Sequence, residues 1–474
     1  MEAYMQQRLE RFFAPRHIAV VGASAKNNWF RNVLENVAQA GFDVRFYPVN
    51  PNAEELFGLK TYPSIAALPA DTIDFAAIMV KAALVPDALR QLKERGIANV
   101  LLLTSGYAET GEEGKRKQRE LVDYCREHDI LLLGPNCLGF IHPSAQTGVF
   151  AGGAVEGKPT LGAIGVVAQS GATSEAMVTK LLGKSLGISL YVTTGNEALL
   201  TAEDCLEYLL HEGHTRVITG FFEGFRNIPQ LQRVAMEAAR RRIPIILIKV
   251  GRSAQGVQAA QSHTGALAGN DQVLDGFFRQ RGIIRVDSIE ELVETAALFA
   301  RCPLPAGEGL GICTVSGGLC GLYADLCAKH GIALPALDPE TIAQLKAVLP
   351  KYAQPDNPLD VTGGFLHGLD KVISIFASDP NLDIIAPLSI PPTHPDDSFS
   401  HMLNEYFLPL LRASAKPLVA ITFKEMSDYA REYYDRHGIP YIEQPELGFR
   451  AISHLIEYAR YIRGIQHLQM VDTA

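Results

Sequence analysis

Ile18-Ala19-Val20-Val21-Gly22-Ala23-Ser24 decides the fold. An unbroken apolar run, rich in β-branched side chains, stops at a glycine and hands over to a small polar residue. A strand without polar alternation is covered on both faces, which is the condition of a parallel sheet packed between helices. Gly22 at its end permits a tight turn, and Ser24 can cap the next helix or hydrogen-bond a phosphate. In a doubly wound sheet this first strand-to-helix turn is where nucleotide phosphates meet the protein, although a tight turn without ligand fits the spacing equally. The full G-x-G-x-x-G fingerprint is missing. The next strand runs out at Tyr47-Pro48-Val49-Asn50-Pro51-Asn52, with Asn50 where a ribose-gripping carboxylate would stand. A nicotinamide-dependent oxidoreductase is therefore not supported.

The same pattern recurs outward along the chain. Apolar runs at Val44–Tyr47, Phe75–Val80, Val100–Leu103 and Ile130–Leu133 are followed by Ile164–Ala168, Ile188–Val192, Val217–Thr219 and Pro244–Val250. A last set is Leu310–Val315, Ile384–Leu388 and Pro417–Thr422. Helix-length segments separate them, so the chain reads as repeated βαβ units. Two stretches of turn-forming residues, Ala151-Gly152-Gly153 to Gly157-Lys158-Pro159 and Cys302 to Gly307, mark linkers. Three doubly wound α/β domains follow, at residues 1–150, 151–302 and 303–474. The second and third open alike, with Gly165 to Ala172 ending in Ser-Gly-Ala and Gly311 to Gly318 in Ser-Gly-Gly. A repeated domain and the general preference of such turns for Ser and Gly explain this equally well.

Composition narrows the function classes. A chain of 474 residues that is 47% hydrophobic can bury several cores. No apolar run approaches the ~20 residues that span a bilayer. Met1 to Pro15 lacks the apolar centre and cleavage site of a signal peptide, so a cytoplasmic protein is expected. A net charge of −9 argues against nonspecific nucleic-acid binding. The seven cysteines are scattered, without a C-x-x-C pair, so neither a metal centre nor a disulfide framework is expected.

Candidate ligand residues gather where strands end. Val80-Lys81, Thr104-Ser105-Gly106 and Gly134-Pro135-Asn136 belong on the same carboxyl edge as Gly22, Ala23, Ser24, Val49, Asn50 and Pro51. Lys81 could pair with a phosphate or stand in solvent. Gln169-Ser170-Gly171-Ala172 follows a strand and precedes a helix, so free backbone N–H groups and the positive end of a helix dipole converge there. Ser316-Gly317-Gly318 repeats the arrangement, and two such ends facing one another would hold a phosphoryl group from both sides. Ser262-His263-Thr264-Gly265 lies in a small-residue loop after Val250. A histidine there could accept a phosphoryl group on one ring nitrogen if a carboxylate held the other. Glu223, just after the strand through Val217, is suitably placed.

Taken in order, these segments resemble the α subunit of ADP-forming acetyl-CoA synthetases and, more distantly, that of succinyl-CoA ligases. The resemblance spans nearly the whole chain. It rests on Val20 to Ser24, Tyr47 to Pro51, Gly134 to Gly139, Gln169 to Ala172, Gly195-Asn196, Glu223-Gly224, Ser262 to Gly265, Ser316 to Gly318 and Asn357 to Val361. It implies a Rossmann-like CoA-binding domain followed by two flavodoxin-like domains. It also implies that His263 carries phosphate between sites, that Glu223 orients it, and that the two Ser-Gly turns hold the phosphate.

The resemblance further implies reversible chemistry. Acyl-CoA and phosphate give acyl phosphate and CoA, His263 takes the phosphoryl group, and a nucleoside diphosphate receives it. Fused members of the family carry an ATP-grasp region in addition. None is found before Ala474, nor is a P-loop, so ADP or ATP and Mg²⁺ are expected on a separate β subunit in an α₂β₂ assembly. The other reading is a non-catalytic CoA or acyl-CoA sensor of the same fold, which the intact His263, Glu223 and Ser-Gly turns disfavour. One departure stands out: the family pattern has a glycine where the first helix starts, and this chain has Trp29-Phe30. A changed CoA pocket is expected there.

Overall fold

The computed structural model describes residues 3–26, 28–258, 270–362, 369–422 and 424–472. They form two compact units, Met1–Ile289 and Glu290–Ala474. Each expected apolar run contains a strand, and most are buried on both faces, whereas residues 44–47 stay half-buried or exposed.

The first unit holds two sheets. In the first, β1 (His17–Val21) and β2 (Arg45–Val49) pair in parallel. A short antiparallel ribbon, β3 (Glu55–Leu56) and β4 (Leu59–Lys60), leads to Tyr62, which bridges Val49 in parallel. β5 (Phe75–Ile78), β6 (Asn99–Leu102) and β7 (Leu131–Leu133) complete the order β2-β1-β5-β6-β7. With Tyr62 counted as a vestigial strand beyond β2, this is the Rossmann order, and its direction reverses between β1 and β5. The reversal opens a crevice at the carboxyl ends of those two strands, the standard ligand position of such sheets.

The second sheet contains β8 (Gly139–His142), β9 (Thr147–Phe150), β10 (Leu161–Ala168), β11 (Ile188–Thr193), β12 (Val217–Phe222), β13 (Ile245–Lys249) and β14 (Ile283–Arg285). Its order is β14-β13-β12-β10-β11-β8-β9. The parallel part follows the flavodoxin order, and the β8–β9 hairpin is added antiparallel to the edge of β11. The sequence reading counted residues 139–150 with the first domain. Their backbone pairs instead with Tyr191, Val192 and Thr193, and Phe140, Ile141, Val149 and Phe150 are buried there. An open edge strand is thereby covered.

The second unit contains β15 (Leu310–Thr314), β16 (Leu359–Asp360), β17 (Ile384–Ser389), β18 (Ala420–Thr422) and β19 (Tyr441–Ile442), in the order β16-β15-β17-β18-β19. The flavodoxin order therefore recurs, extending the likeness of the two Ser-Gly turns to whole sheets. The helix Ile289–Arg301, ahead of the Cys302 linker, contributes Leu298 to this unit's core and pairs Arg301 with Asp435 at 2.7 Å. Among the described residues no helix is long and apolar enough to cross a membrane.

Candidate functional site

The first sheet's carboxyl edge is assembled around Gly22. Its φ of +88° suits glycine, and a Cβ there would lie 2.6 Å from Val80 Cγ1. The backbone N–H of Gly22 donates to Val49 O at 3.1 Å, and the Asn50 amide donates to Ala23 O at 2.8 Å. Thr104 donates to Val80 O at 2.6 Å, and the Asn136 N–H donates to Thr104 O at 3.1 Å. Gly22, Ala23, Val49, Asn50, Val80 and Asn136 are thus brought to one edge, with Ser24, Pro51, Lys81 and Ser105 beside them in the chain. Lys81, Pro51 and Ser105 are exposed. Ser24 Oγ accepts the Lys26 N–H at 3.1 Å, so the hydroxyl shapes the turn. The helix Trp29–Ala40 starts at Asn28, which makes no side-chain cap bond. Phe30 does not enter the turn. It is fully buried against the rings of Phe46 and Phe57, and Trp29 packs partly buried on the same core.

The second sheet places Glu223 where β12 ends, beside the Ser170 turn where β10 ends. Gln169 joins the two. Its side-chain oxygen accepts the backbone N–H groups of Glu223 at 2.6 Å and Gly224 at 3.1 Å. Its nitrogen donates to Gly224 O at 2.8 Å and to Glu197 Oε1 at 2.9 Å. Ser170 is the N-cap of the helix Gly171–Gly183 but makes no side-chain cap bond, so its hydroxyl does not occupy the first N–H groups of that helix. Glu223 is buried, with 7% of its surface exposed.

Glu197 anchors this arrangement from behind. Oε1 also accepts from Thr194 Oγ1 at 2.8 Å and from the Ala202 N–H at 3.1 Å, while Arg226 Nε lies 3.6 Å from Oε2. Burial, reinforced by the charge of Glu203, pushes its carboxyl up to about 7. The preceding residue, Asn196, reaches back to the first sheet. Its amide donates to Glu109 Oε2 at 2.5 Å and to Gln118 Oε1 at 3.2 Å, and its oxygen accepts from Asn136 at 3.3 Å. Burial works against the charge of Glu109. The Asn196 amide and the N–H groups of Gly106 and Tyr107 outweigh it and hold that carboxyl below its ordinary range. A cavity of about 460 Å³ borders this junction between Arg226 and the helix Glu112–Glu127. Lys115, Arg119 and Arg126 face it with the single carboxylate of Asp123, reversing locally the sign of the chain's net charge.

His263 lies outside the described residues, which stop at 258 and resume at 270. The two stems of its loop are tied together. Arg285 on β14 donates to Asp271 Oδ1 at 2.6 Å, and Arg252 Nε lies 3.6 Å from Asp271 Oδ2. Lys249 ends β13 next to Phe222, and its ammonium donates to Val250 O at 2.5 Å. Burial, with Arg285 adding to it, lowers the Lys249 pKa, against the pull of Asp271 and Glu223.

In the second unit, Ser316 is the N-cap of the helix Gly317–Lys329, again without a side-chain cap bond. Gly317 and Gly318 are exposed. Asp360 Oδ2 lies 3.4 Å from the place a Cβ on Gly317 would take.

Sequence reasoning quoted Gln169 and Asn196 only as parts of motifs and missed Glu109, Glu197 and Arg226. Their roles come from contacts between residues 28 to 87 positions apart. The signal open to the sequence was polar residues at strand ends expected to be buried.

Residues 16–143 match the family described as a CoA binding domain, and residues 161–299 match the succinyl-CoA ligase like flavodoxin domain. The chain is similar to the α subunit of ADP-forming acetate–CoA ligase II of Pyrococcus furiosus, at 33% identity over 96% of this chain and 99% of that one. It is 34% identical to the ADP-forming acetate–CoA ligase I of Archaeoglobus fulgidus over 95% of this chain, but that covers only 64% of the longer relative. A solved structure, the dinucleotide forming acetyl-coenzyme A synthetase 1 of Ca. Korarchaeum cryptofilum in complex with phosphate and ADP, superimposes with a TM-score of 0.86. It is 28% identical and covers 97% of this chain and 98% of that one. With these matches running nearly end to end over both sheets of the first unit and the sheet of the second, the chain belongs to the family of ADP-forming acetate–CoA ligase α subunits.

Proposed function

We propose that the chain is the CoA-binding, phosphohistidine-carrying α subunit of a nucleoside-diphosphate-forming acyl-CoA synthetase. Residues 1–150 would bind CoA, 151–302 carry the phosphohistidine loop, and 303–474 form a second ligase domain. The observation that carries this reading is the Glu223 turn. It is pinned by Gln169 against a helix start that its N-cap serine leaves uncapped, one strand from the stem of the loop that contains His263.

The CoA reading draws on the first sheet. Gly22, having no Cβ, lets Val80 close against the first strand-to-helix turn at the switch point of a Rossmann-ordered sheet, with Asn50 and Asn136 on the same edge. In the reaction, a phosphate oxygen attacks the thioester carbon, the C–S bond breaks, and CoA leaves as the thiol. A ring nitrogen of His263 then attacks phosphorus. The N–P bond forms as the P–O bond to the acyl group breaks, releasing the carboxylate. The other ring N–H donates to Glu223, which favours the imidazolium-like charge that develops. Backbone N–H groups at Gly171 receive the phosphoryl oxygens, and Ser316, Gly317 and Gly318 offer a second set. The phosphoryl group passes on to a nucleoside diphosphate.

ADP or ATP and Mg²⁺ belong, in this proposal, to a separate ATP-grasp β subunit in an α₂β₂ enzyme. The name of the P. furiosus relative as an α subunit supports this, as does the longer A. fulgidus relative that extends beyond the matched part. The acyl group is that of a small carboxylic acid, entering as its acyl-CoA and leaving as the carboxylate, and the cytoplasm, where CoA and nucleotides meet, is the setting.

The test is intact-mass and acid-lability analysis of the chain after incubation with phosphate and a panel of acyl-CoAs, beside His263→Ala. Acid-labile phosphate on the wild type alone is expected. A blank that persists with the ATP-grasp partner present would overturn the catalytic reading in favour of a CoA-binding regulatory module.

A further inference from the structure

Gln169 spends every hydrogen-bonding valence of its side chain on one junction. A glutamine amide has two N–H donors and an oxygen with two lone pairs. Here the donors serve Glu197 Oε1 and Gly224 O, and the oxygen receives the N–H groups of Glu223 and Gly224. Flipping the amide would set its NH₂ against two N–H donors and its oxygen against two acceptors, so one orientation alone is tolerated. The residue is 8% exposed, and its backbone N–H is also committed, to Phe221 O at 3.0 Å. Such a fully satisfied buried group fixes geometry tightly.

Its sequence neighbours show what is being fixed. The next residue is Ser170, the N-cap of the helix offered as the phosphate cradle, and the residue whose N–H it holds is Glu223. We propose that Gln169 is a positioning residue for phosphoryl transfer: held in orientation by Glu197, it sets the distance between the Glu223 carboxylate and the Ser170–Gly171 helix start. This rests on the reading of His263 and Glu223 as the transfer pair.

Glu197 supplies the orientation because its Oε1, already accepting from Thr194 Oγ1 and the Ala202 N–H, faces Gln169 as an acceptor. The charged groups facing it are Glu203 on the helix Ala202–His211 and Arg226 after β12, and Thr194 and the Ala202 N–H complete its shell. With burial lifting its carboxyl to about 7, a second carboxylate in place of Gln169 could coexist with it only by sharing a proton.

That yields a signature that a merely structural residue lacks. The full chain, together with its ATP-grasp subunit, is incubated with acetyl-CoA and ³²P-phosphate, and the initial rate of acid-labile labelling is measured from pH 6 to 8.5. Gln169→Leu is expected to label about 100-fold more slowly than wild type at every pH, as expected when a reacting pair is displaced by about 1 Å. Gln169→Glu is expected to lose labelling at pH 8 and to regain at least tenfold of it at pH 6, where one proton bridges the two carboxylates. The double variant Gln169→Glu/Glu197→Gln, which restores one amide and one carboxylate, is expected to label at pH 8 at least tenfold faster than Gln169→Glu.

Thermal melting accompanies each variant, and if Gln169→Leu fails to fold the two glutamate variants decide. The proposal is overturned if folded Gln169→Leu labels like wild type, or if the Gln169→Glu rate is independent of pH and unrescued by Glu197→Gln. A wild type that takes up no label, like His263→Ala beside it, overturns the transfer reading itself, an outcome distinct from wild-type labelling that the Gln169 variants leave unchanged.

Discussion

The Ser170 turn of the first unit and the Ser316 turn of the second are built to one plan, and their differences lie in what the neighbouring strand end brings to each. Each ends the first strand of a sheet with the flavodoxin order, and each opens a helix whose N-cap serine makes no side-chain cap bond. The residue before the serine is Gln169 in one and Val315 in the other. Gln169 latches onto the end of the neighbouring strand, whereas Val315 packs against apolar core. One residue beyond the end of the neighbouring strand stands Glu223 in the first unit and, at the same register from the turn serine, Ile390 in the second. A helix start offers any anion a place. On the side of the third strand of each parallel set, the first unit puts a carboxylate, Glu223, beside the turn, and the second puts Ile390.

The sharpest way to break this comparison is to remove that carboxylate. Glu223→Gln keeps the shape and loses the charge, and acid-labile labelling is expected to fall by about 100-fold or more, the usual weight of a group assisting proton movement. Ile390→Ala, at the matching place, is expected to leave labelling within about threefold. Equal losses from both would mean that the two turns share the chemistry.

A second test uses pH. The carboxyl of Glu197 is pushed from its ordinary 4.5 up to about 7 by burial first and by Glu203 second. Between those values the folded chain holds a proton that the unfolded chain has released, so the stability of the first unit falls as pH rises through that window. The decline from this group is on the order of 3 kcal/mol. Glu197→Gln cannot titrate and is expected to flatten it. Denaturation midpoints at pH 5 and 7.5, followed by probes in residues 1–289, check this, and parallel losses in wild type and variant would count against it.

Much of this frame was legible in the residues. The runs from Ile18 to Thr422 read as covered strands because the apolar pattern is a local consequence of burial on both faces. The Gly22, Ser170 and Ser316 turns were legible because tight turns and helix starts demand small residues. What escaped was whatever depends on distant pairing. Residues 139–150 read as part of the first domain because the turn-forming stretch after them reads as the linker, and only pairing with β11 makes their hairpin part of the second sheet. β16 and β19 are too short to leave a pattern. Phe30 read as a possible intruder in the CoA turn, and its burial is set by Phe46 and Phe57. Glu197 and Glu109 gave no sign because their value lies in partners far along the chain.

Packing around the two helix starts gives a smaller effect. A Cβ on Gly171 would stand 2.4 Å from Leu138 Cδ1, so Gly171→Ala forces Leu138 to move. An overpacking cost of about 1–3 kcal/mol is expected. A Cβ on Gly317 meets nothing closer than Asp360 Oδ2 at 3.4 Å, so Gly317→Ala is expected to be neutral or to stabilise by up to about 1 kcal/mol. Urea denaturation of the two variants checks the asymmetry.

The smallest expected effect concerns Asp360, which separates the two turns electrostatically. It sits on β16 beside β15, with Oδ1 accepting the Thr362 N–H at 2.8 Å and Oδ2 turned toward the helix start. The start of a helix presents roughly half a positive charge, which a nearby carboxylate partly cancels for an incoming phosphate. At a partly exposed site, solvent keeps that penalty below about 1 kcal/mol. Asp360→Asn is therefore expected to tighten phosphate binding at this turn about threefold, read as protection of the Gly317 and Gly318 amides from hydrogen exchange as phosphate is titrated. The gain should shrink in 0.5 M salt, where the screening length drops to a few ångströms. If Asp360→Asn weakens binding instead, the carboxylate is organising the turn through Thr362 rather than opposing the anion, and the second unit would have its own counterpart to the Gln169 latch.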